Sequence, residues 1–161
     1  MREMREPTHG IDRKAIGWWM LQTIAVMVPV FLGMAAVGWF FEITRPFLPY
    51  ALVLATAFLL TGVFVEPFWR FRVHRWETTD TAVYARTGWL VREWRAAPLS
   101  RVQTVDASQG PLEQALGLST LVITTASSSG AIKINGLDKG TADRVAHELT
   151  DVAELIPGDA T

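Results

Sequence analysis

Two long apolar stretches without a charged side chain dominate the first half of the sequence. They cover residues 16–41 and 47–65, and the five residues between them read Glu-Ile-Thr-Arg-Pro. A bilayer core about 30 Å thick needs roughly 20 helical residues to cross it, so each stretch is long enough to span a membrane. The connection is too short to do more than reverse the chain. The sequence therefore predicts a transmembrane helical hairpin within residues 16–69.

A cleaved signal peptide is the alternative interpretation of the first stretch. The apolar core of a signal peptide covers about 7 to 15 residues, and this stretch is clearly longer. A second apolar stretch also follows almost at once. Both features favour a retained anchor over a leader that is removed.

Basic residues lie outside the two ends of the predicted hairpin, where they set its orientation. The flank before it carries Arg2, Arg5, Arg13 and Lys14, and the flank after it carries Arg70, Arg72 and Arg75. The connection carries only Arg45. Since positively charged flanks are retained on the cytoplasmic side, we expect a multi-pass protein with both termini in the cytoplasm.

Tryptophans near the ends of the apolar stretches match this arrangement. Trp and Tyr are enriched where a membrane meets water, because their rings are apolar and carry a polar group. The residues predicted to be such interfacial anchors are Trp18, Trp19, Trp39 and Trp69. Neither stretch contains an ionisable side chain, so the sequence offers no proton relay or ion site at membrane depth.

The chain after the hairpin changes from long apolar stretches to short β-like segments. They cover residues 71–78, 82–86, 89–97, 99–107, 118–125 and 131–137, with a turn predicted at Thr87-Gly88 and a bulge in the fourth segment. A helical turn is predicted at 111–116, closed by Gly117. The chain finishes with a helix that begins near Asp138 and carries an apolar stripe. This order predicts an α+β domain.

Antiparallel strands followed by one amphipathic helix form the pleckstrin-homology-like (PH-like) pattern. The residues at 97–106, which include Pro-Leu-Ser-Arg-Val-Gln, and at 108–113, which include Gln-Gly-Pro-Leu, resemble the bacterial PH-domain family of YdbS-like membrane proteins. So do those at 79–88 and 116–121. The resemblance implies a PH-like β-barrel or sandwich at 70–161, capped by the C-terminal helix. It also implies attachment to the cytoplasmic side of the bacterial cell (inner) membrane, but it does not imply a known biochemical activity. The orientation of the hairpin makes residues 1–15 a cytoplasmic tail.

The sequence lacks the patterns that would indicate catalysis. It has no cysteine, and His9, His74 and His147 do not show the spacing of metal ligands. It contains neither a phosphate-binding glycine loop nor the Gly-x-Ser-x-Gly of a hydrolase. A net charge of -1 argues against binding to nucleic acid. We therefore expect no enzymatic activity, no catalytic residue, no metal and no cofactor.

Charge is distributed unevenly within the second half of the chain. Arginines prevail between residues 70 and 101, whereas acidic residues prevail from Asp138 onward. The candidate residues for binding a lipid or a partner are Arg70, Arg72, Arg75, Arg92 and Arg95. We expect an interaction module that acts through protein contacts, by self-association or within a larger membrane complex. The alternative is a sensor that binds anionic lipid through its basic strand face.

Overall fold

The computed structural model describes residues 6–126 and 130–155, with side chains up to residue 152. The chain divides into two compact units. One unit is Ile16–Trp69, and the other combines the residues before Ile16 with the chain from Arg70 onward.

The first unit is built from two apolar helices, as the sequence predicts. Helix α1 covers Lys14–Phe40 and α2 covers Leu48–Phe64. By length and composition, the helical stretches Lys14–Phe40 and Leu48–Val73 can each cross a membrane. The helices approach closely at Gly62, whose carbonyl accepts a hydrogen bond from Thr23 Oγ1 at 3.3 Å. A Cβ atom on Gly62 would lie 2.7 Å from Thr23 Cγ2, so glycine permits this contact.

The chain stays helical beyond the point where the sequence predicts a strand. The predicted strand at 71–78 is wrong in its first half, because helix α3 covers Glu66–Val73 and the strand begins at Arg75. Pro67 is the second residue of α3, where a missing N–H removes no helical hydrogen bond. Glu66 in the first turn, with Arg70 and Arg72 in the last, suits the helix dipole.

The second unit contains two antiparallel sheets and a C-terminal helix. The first sheet has the order β1 (His9–Gly10), β2 (Arg75–Thr78), β3 (Ala82–Gly88) and β4 (Arg92–Pro98). The second has the order β5 (Val102–Ser108), β6 (Leu118–Thr125) and β7 (Ile132–Asp138). Helix α4 (Pro111–Leu116) joins β5 to β6, and α5 covers Lys139–Leu155. This arrangement confirms the predicted α+β, PH-like fold.

The core lies between α5 and the second sheet. The apolar stripe of α5 is buried at Ala142, Val145 and Leu149, and the helix packs on all three strands of that sheet. From the sheet, Leu121 and Ile123 are fully buried. Each large apolar side chain that leaves water contributes roughly 1.5 to 3 kcal/mol, so this layer stabilises the unit.

Three local predictions in this unit are confirmed. The register of β5 against β6 shifts between Val102 and Thr104, which is the predicted irregularity. Gly117 closes α4 in the left-handed conformation, with a φ of 67°. Asp138 Oδ2 accepts a hydrogen bond from the amide of Gly140 at 3.0 Å, close to the predicted start of the last helix. The sequence Ser-Ser-Ser-Gly at 127–130, which also predicts a turn between the last two strands, lies largely outside the described residues.

The turn between β3 and β4 lies later in the chain than predicted. Strand β3 continues through the predicted turn to Gly88, and the chain reverses at residues 89–91. Gly88 has a φ of 119°, and a Cβ atom there would lie 1.9 Å from the Val91 carbonyl oxygen. Glycine therefore ends the strand and does not occupy the tip. As a result Leu90 and Val91 lie at the tip, 82% and 73% exposed.

The residues before α1, which the sequence predicts to be a tail, join the first sheet. Strand β1 pairs with β2, placing His9 opposite Trp76. The indole Nε1 of Trp76 donates to the Gly10 carbonyl at 3.1 Å. The 64 residues between the two strands include the whole hairpin, so β1 pairs with a strand that is distant in the sequence.

The same segment also reaches β7 in the second sheet. The amide of Asp12 donates to the Gly136 carbonyl at 2.9 Å. Ile11 and Ala15 are buried, at 7% and 0% exposure. Gly136 has a φ of 73°, and a Cβ atom on it would lie 2.7 Å from Ala15 Cβ. Residues 9–15 therefore contribute to both sheets of the folded domain.

Candidate interaction surface

Strand β4 has an outer edge on which no strand of residues 6–126 and 130–155 is paired. The amide of Leu99 donates to the Thr81 carbonyl at 2.9 Å, which makes these opposed residues a hydrogen-bonded pair. Hydrogen-bonded and non-hydrogen-bonded pairs alternate along an antiparallel ladder. The backbone groups of Glu93, Arg95 and Ala97 therefore bond to β3. Those of Arg92, Trp94 and Ala96 point away from β3, toward the open edge.

The side chains of β4 are as accessible as its edge. Six of its seven residues are exposed, with Ala97 the exception. Trp94 is 37% exposed, and the apolar tip of Leu90 and Val91 comes directly before the strand. An exposed edge strand can pair with an added strand from another chain, and proteins often protect such edges with charges or a proline. Strand β4 carries charges and ends in Pro98, but an aromatic side chain and an apolar tip accompany them.

The two candidate arginines of β4 lie on opposite faces of the sheet. Arg95 is opposite Ala85 in β3, whose side chain is buried, whereas Arg92 is opposite Gly88. Because successive side chains of a strand alternate between faces, Arg92 lies with Trp94, and Arg95 lies with Glu93. The two guanidinium groups therefore do not converge on one ligand.

Arg95 makes polar contacts within the domain. Its Nη2 lies 3.3 Å from Glu93 Oε2, and its Nη1 donates to the Ala131 carbonyl at 3.1 Å. A cavity of about 230 Å³ adjoins this pair between β3, β4 and β7. Its lining residues are Ala85, Thr87, Glu93, Arg95, Ala131, Lys133 and Asn135. The cavity is polar and mixed in charge, which does not favour an anionic headgroup over other ligands.

The other three candidate arginines lie at the end of α3 and the start of β2. Arg72 is exposed, and Arg70 is partly buried. Arg75 Nη1 donates to the carbonyls of Phe71 and His74 at 3.3 and 3.1 Å. The last carbonyls of a helix lack hydrogen-bond partners within the helix, so the Arg75 side chain caps the C-terminal end of α3. Its guanidinium thus has a structural role at that helix end.

His74 is a buried histidine between α3 and β2. Its side chain is 3% exposed, and Nδ1 lies 2.8 Å from the Arg70 carbonyl oxygen, to which it donates. Burial lowers the pKa of His74 from 6.5 to about 4, the hydrogen bond to the carbonyl opposes this change, and the positive charge of Arg70 adds to it. His74 is therefore neutral at pH 7.

The buried carboxylates of the domain hold loops and strands in place. Glu113 Oε2 accepts the Gly110 amide at 2.7 Å, and its Oε1 accepts the Thr120 hydroxyl at 2.7 Å. Glu77 Oε2 accepts the Thr8 amide at 3.1 Å. No group of three His, Cys, Asp or Glu that could hold a metal occurs among the described residues. These acids therefore act in the architecture of the domain.

The four predicted anchor tryptophans differ in exposure. Trp39 and Trp69 are 79% and 47% exposed, as interfacial anchors require. Trp18 and Trp19 are buried at 9% and 3%, with ring centroids 6.0 Å apart. The role of all four as anchors stays a prediction.

The sequence indicates the charges of β4 but not its open edge. Trp94 and Ala96 were not among the candidate residues, although their backbone groups face that edge. The alternation of side chains was readable from the sequence. Which strand would lie at the edge was not, since edge position depends on the pairing of distant segments.

Comparison with known proteins identifies the family of this chain. The family described as "Bacterial PH domain" matches residues 16–153. The UPF0699 transmembrane protein YdbS of Bacillus subtilis (strain 168) is 30% identical over 167 aligned positions, which cover 99% of each chain. No solved structure matches significantly. The family match covers the apolar helices as well as the PH-like domain, and the Bacillus subtilis relative is described as a transmembrane protein. The chain is therefore a member of the bacterial PH domain family, in the form that carries two apolar helices ahead of the domain.

Proposed function

We propose that this chain is a non-enzymatic interaction module, anchored in the membrane, whose domain binds a protein through the open edge of β4. The observation that carries the proposal is a strand edge on which no strand of the described residues is paired, together with exposure of six of the seven residues of Arg92–Pro98. An added strand would gain the backbone hydrogen bonds that Arg92, Trp94 and Ala96 offer. Trp94 would supply the aromatic contact that interfaces favour.

We propose further that the domain lies in the cytoplasm of a bacterium, with both termini on that side. The support is the distribution of basic residues, with Arg13 and Lys14 ahead of the first apolar stretch and Arg70 and Arg72 after the second, against Arg45 alone in the connection. A cytoplasmic face would hold these flanks. A C-terminal reporter that is active only outside the cell would contradict this orientation.

Replacing Ala96 with proline is expected to abolish binding at the edge while leaving the domain folded. Ala96 is opposite Tyr84 in a non-hydrogen-bonded pair, so its N–H faces the open edge and does not bond to β3. Proline would remove that donor and obstruct an added strand. The measurement is photo-crosslinking in native membranes, with the photoactivatable residue benzoylphenylalanine in place of Trp94, so that an aromatic side chain remains at this position. We expect protein adducts from the parent and a loss of about tenfold or more with Ala96→Pro.

The matched control carries the photoactivatable residue in place of Arg144, which is exposed on α5. We expect the few adducts formed there to be unchanged by Ala96→Pro. Protection of the Ala85 and Arg95 amides from hydrogen exchange would show that β3 and β4 remain paired. Adducts at position 94 that survive Ala96→Pro at full yield would contradict binding by strand addition.

Binding to anionic lipid is a second candidate function, favoured by the hairpin tip. Leu90 and Val91 are highly exposed, and Arg92 comes directly after them, so apolar and cationic groups adjoin. This combination is typical of segments that contact a membrane surface. The same crosslinking experiment separates the two candidates. Lipid binding predicts lipid adducts at position 94 that Ala96→Pro does not change, and no protein adducts.

A further inference from the structure

The order of charges along β4 indicates which partner its edge fits. We infer that two copies of this chain join their β4 strands antiparallel, with Trp94 opposite Trp94 of the second copy. This inference rests on the proposed function, since it names the partner for the same edge. It follows from the backbone alternation of β4 and from the positions of Glu93 and Arg95.

The backbone permits few registers for such a pair. The outward groups belong to Arg92, Trp94 and Ala96, and the hydrogen-bonded pairs between the copies must be formed by these residues. If one strand were shifted by a single residue, the outward backbone groups of one copy would face residues of the other copy whose backbone groups already bond to β3. The permitted registers therefore differ in the residue at which the two-fold axis lies. The central registers place this axis at Glu93, at Trp94 or at Arg95.

The charges select one of these registers. With the centre at Trp94, Glu93 of each copy lies opposite Arg95 of the other, and the symmetry forms this pair twice. These are non-hydrogen-bonded pairs, in which the opposed side chains are closest. With the centre at Glu93, two carboxylates would oppose each other, and with the centre at Arg95, two guanidinium groups would. Like charges directly opposite destabilise a strand pair.

The charged groups are placed to make these contacts. Glu93 and Arg95 lie 3.3 Å apart within one copy, and their side chains are 56% and 42% exposed. Pairing would join two such ion pairs into a cluster of four alternating charges at the centre of the contact. A network of alternating charges is stabilised more than an isolated exposed pair, which contributes little.

The ends of β4 limit the length of the pairing. Arg92 of one copy would lie opposite Ala96 of the other, and Val91 opposite Ala97. Pro98 has no N–H to donate, so the ladder ends there. The contact is isologous, and therefore closes as a dimer without leaving β4 free to extend a fibre. A short ladder binds weakly in dilute solution, but anchoring both copies in one membrane raises their effective concentration.

Mixing two charge variants of the full chain tests the inference. Glu93→Arg places four bases at the centre of a homodimer, and Arg95→Glu places four acids there. Each variant alone should lose pairing, by about tenfold or more, as two attractive contacts become repulsive. Together they should form a heterodimer with every opposed pair attractive. The measurement is energy transfer between differently labelled full-length copies in nanodiscs, with the parent chain as reference.

Rescue in the mixture cannot arise from the ion pair within each copy, because that pair stays broken in both variants. We expect energy transfer in the mixture to return to the parent level. A mixture that shows no more transfer than either variant alone would overturn the inference.

The failure of this inference is distinguishable from failure of the proposed function. If mixing gives no rescue while Ala96→Pro still removes protein adducts, the edge binds a different chain and self-pairing is wrong. If Ala96→Pro also has no effect on those adducts, the edge is not used and both are wrong.

Discussion

Replacing Gly136 with alanine is expected to destabilise the domain by about 3 kcal/mol. Gly136 has a φ of 73°, which strains any residue with a side chain. Its new Cβ would also lie 2.7 Å from Ala15 Cβ, so the segment before α1 would have to move. That movement would weaken the hydrogen bond from the Asp12 amide to the Gly136 carbonyl. The measurement is hydrogen exchange of the domain amides in the full chain.

Gly117→Ala provides the matched control for this prediction. Gly117 has a similar φ of 67°, but its Cβ would meet only Lys14 Nζ at 3.8 Å. We expect this variant to show the backbone strain alone, roughly 1 to 2 kcal/mol. If the two variants were equally destabilised, the packing of Ala15 against β7 would contribute nothing to stability.

Acidification from pH 6.5 to pH 4 is expected to cost the domain about 3 kcal/mol through His74. The pKa of His74 is lowered to about 4 in the folded domain, because burial disfavours the imidazolium. In the unfolded chain, His74 binds a proton below pH 6.5 at no such cost. The unfolded state therefore takes up more protons between these values. Stability is complete above pH 6.5, falls as the pH falls, and changes no further well below pH 4.

The check is the pH dependence of the free energy of unfolding, compared with His74→Gln. Glutamine can still donate a hydrogen bond toward the Arg70 carbonyl but does not titrate. We expect the variant to lose most of the slope between pH 6.5 and pH 4. A slope equal to that of the parent would assign the acid sensitivity to other groups.

The sequence was sufficient to predict the features that depend on local pattern. Charge-free stretches of membrane length predicted α1 and α2, and the apolar stripe with its Asp138 cap predicted α5. The bulge in β5 followed from Val102 and Val105, which break strict alternation. These features depend on residues that are close in sequence, so the local sequence pattern is enough to predict them.

The contribution of the first residues could not be predicted in the same way. Residues 9–15 contact Trp76 and Gly136, which lie far along the chain. Nothing within the segment shows the period of a strand, since β1 has two residues. Its pairing depends on tertiary contacts that no local pattern records. The extent of α3 could not be predicted from local pattern either. Residues 71–73 have strand-like side chains, but they continue the helix that begins at Glu66.

The candidate arginines do not form one cluster in the structure. The basic excess between residues 70 and 101 is real, yet the structure spreads its members over different roles. Arg75 closes a helix, and Arg95 pairs with Glu93 and bonds to the Ala131 carbonyl. Arg92 lies on the other face of β4. A charge excess in sequence therefore need not form a single binding site in space.

Residue-resolved hydrogen exchange of β4 in native membrane patches tests the central claim most directly. The amides of Glu93, Arg95 and Ala97 bond to β3 and will be protected in any case. The amides of Trp94 and Ala96 face the open edge, so a partner strand is needed to protect them. We expect these two amides to be protected in the membrane and to lose protection when the edge partner dissociates. Strict alternation, with Trp94 and Ala96 exchanging as freely as unpaired amides, would contradict the account.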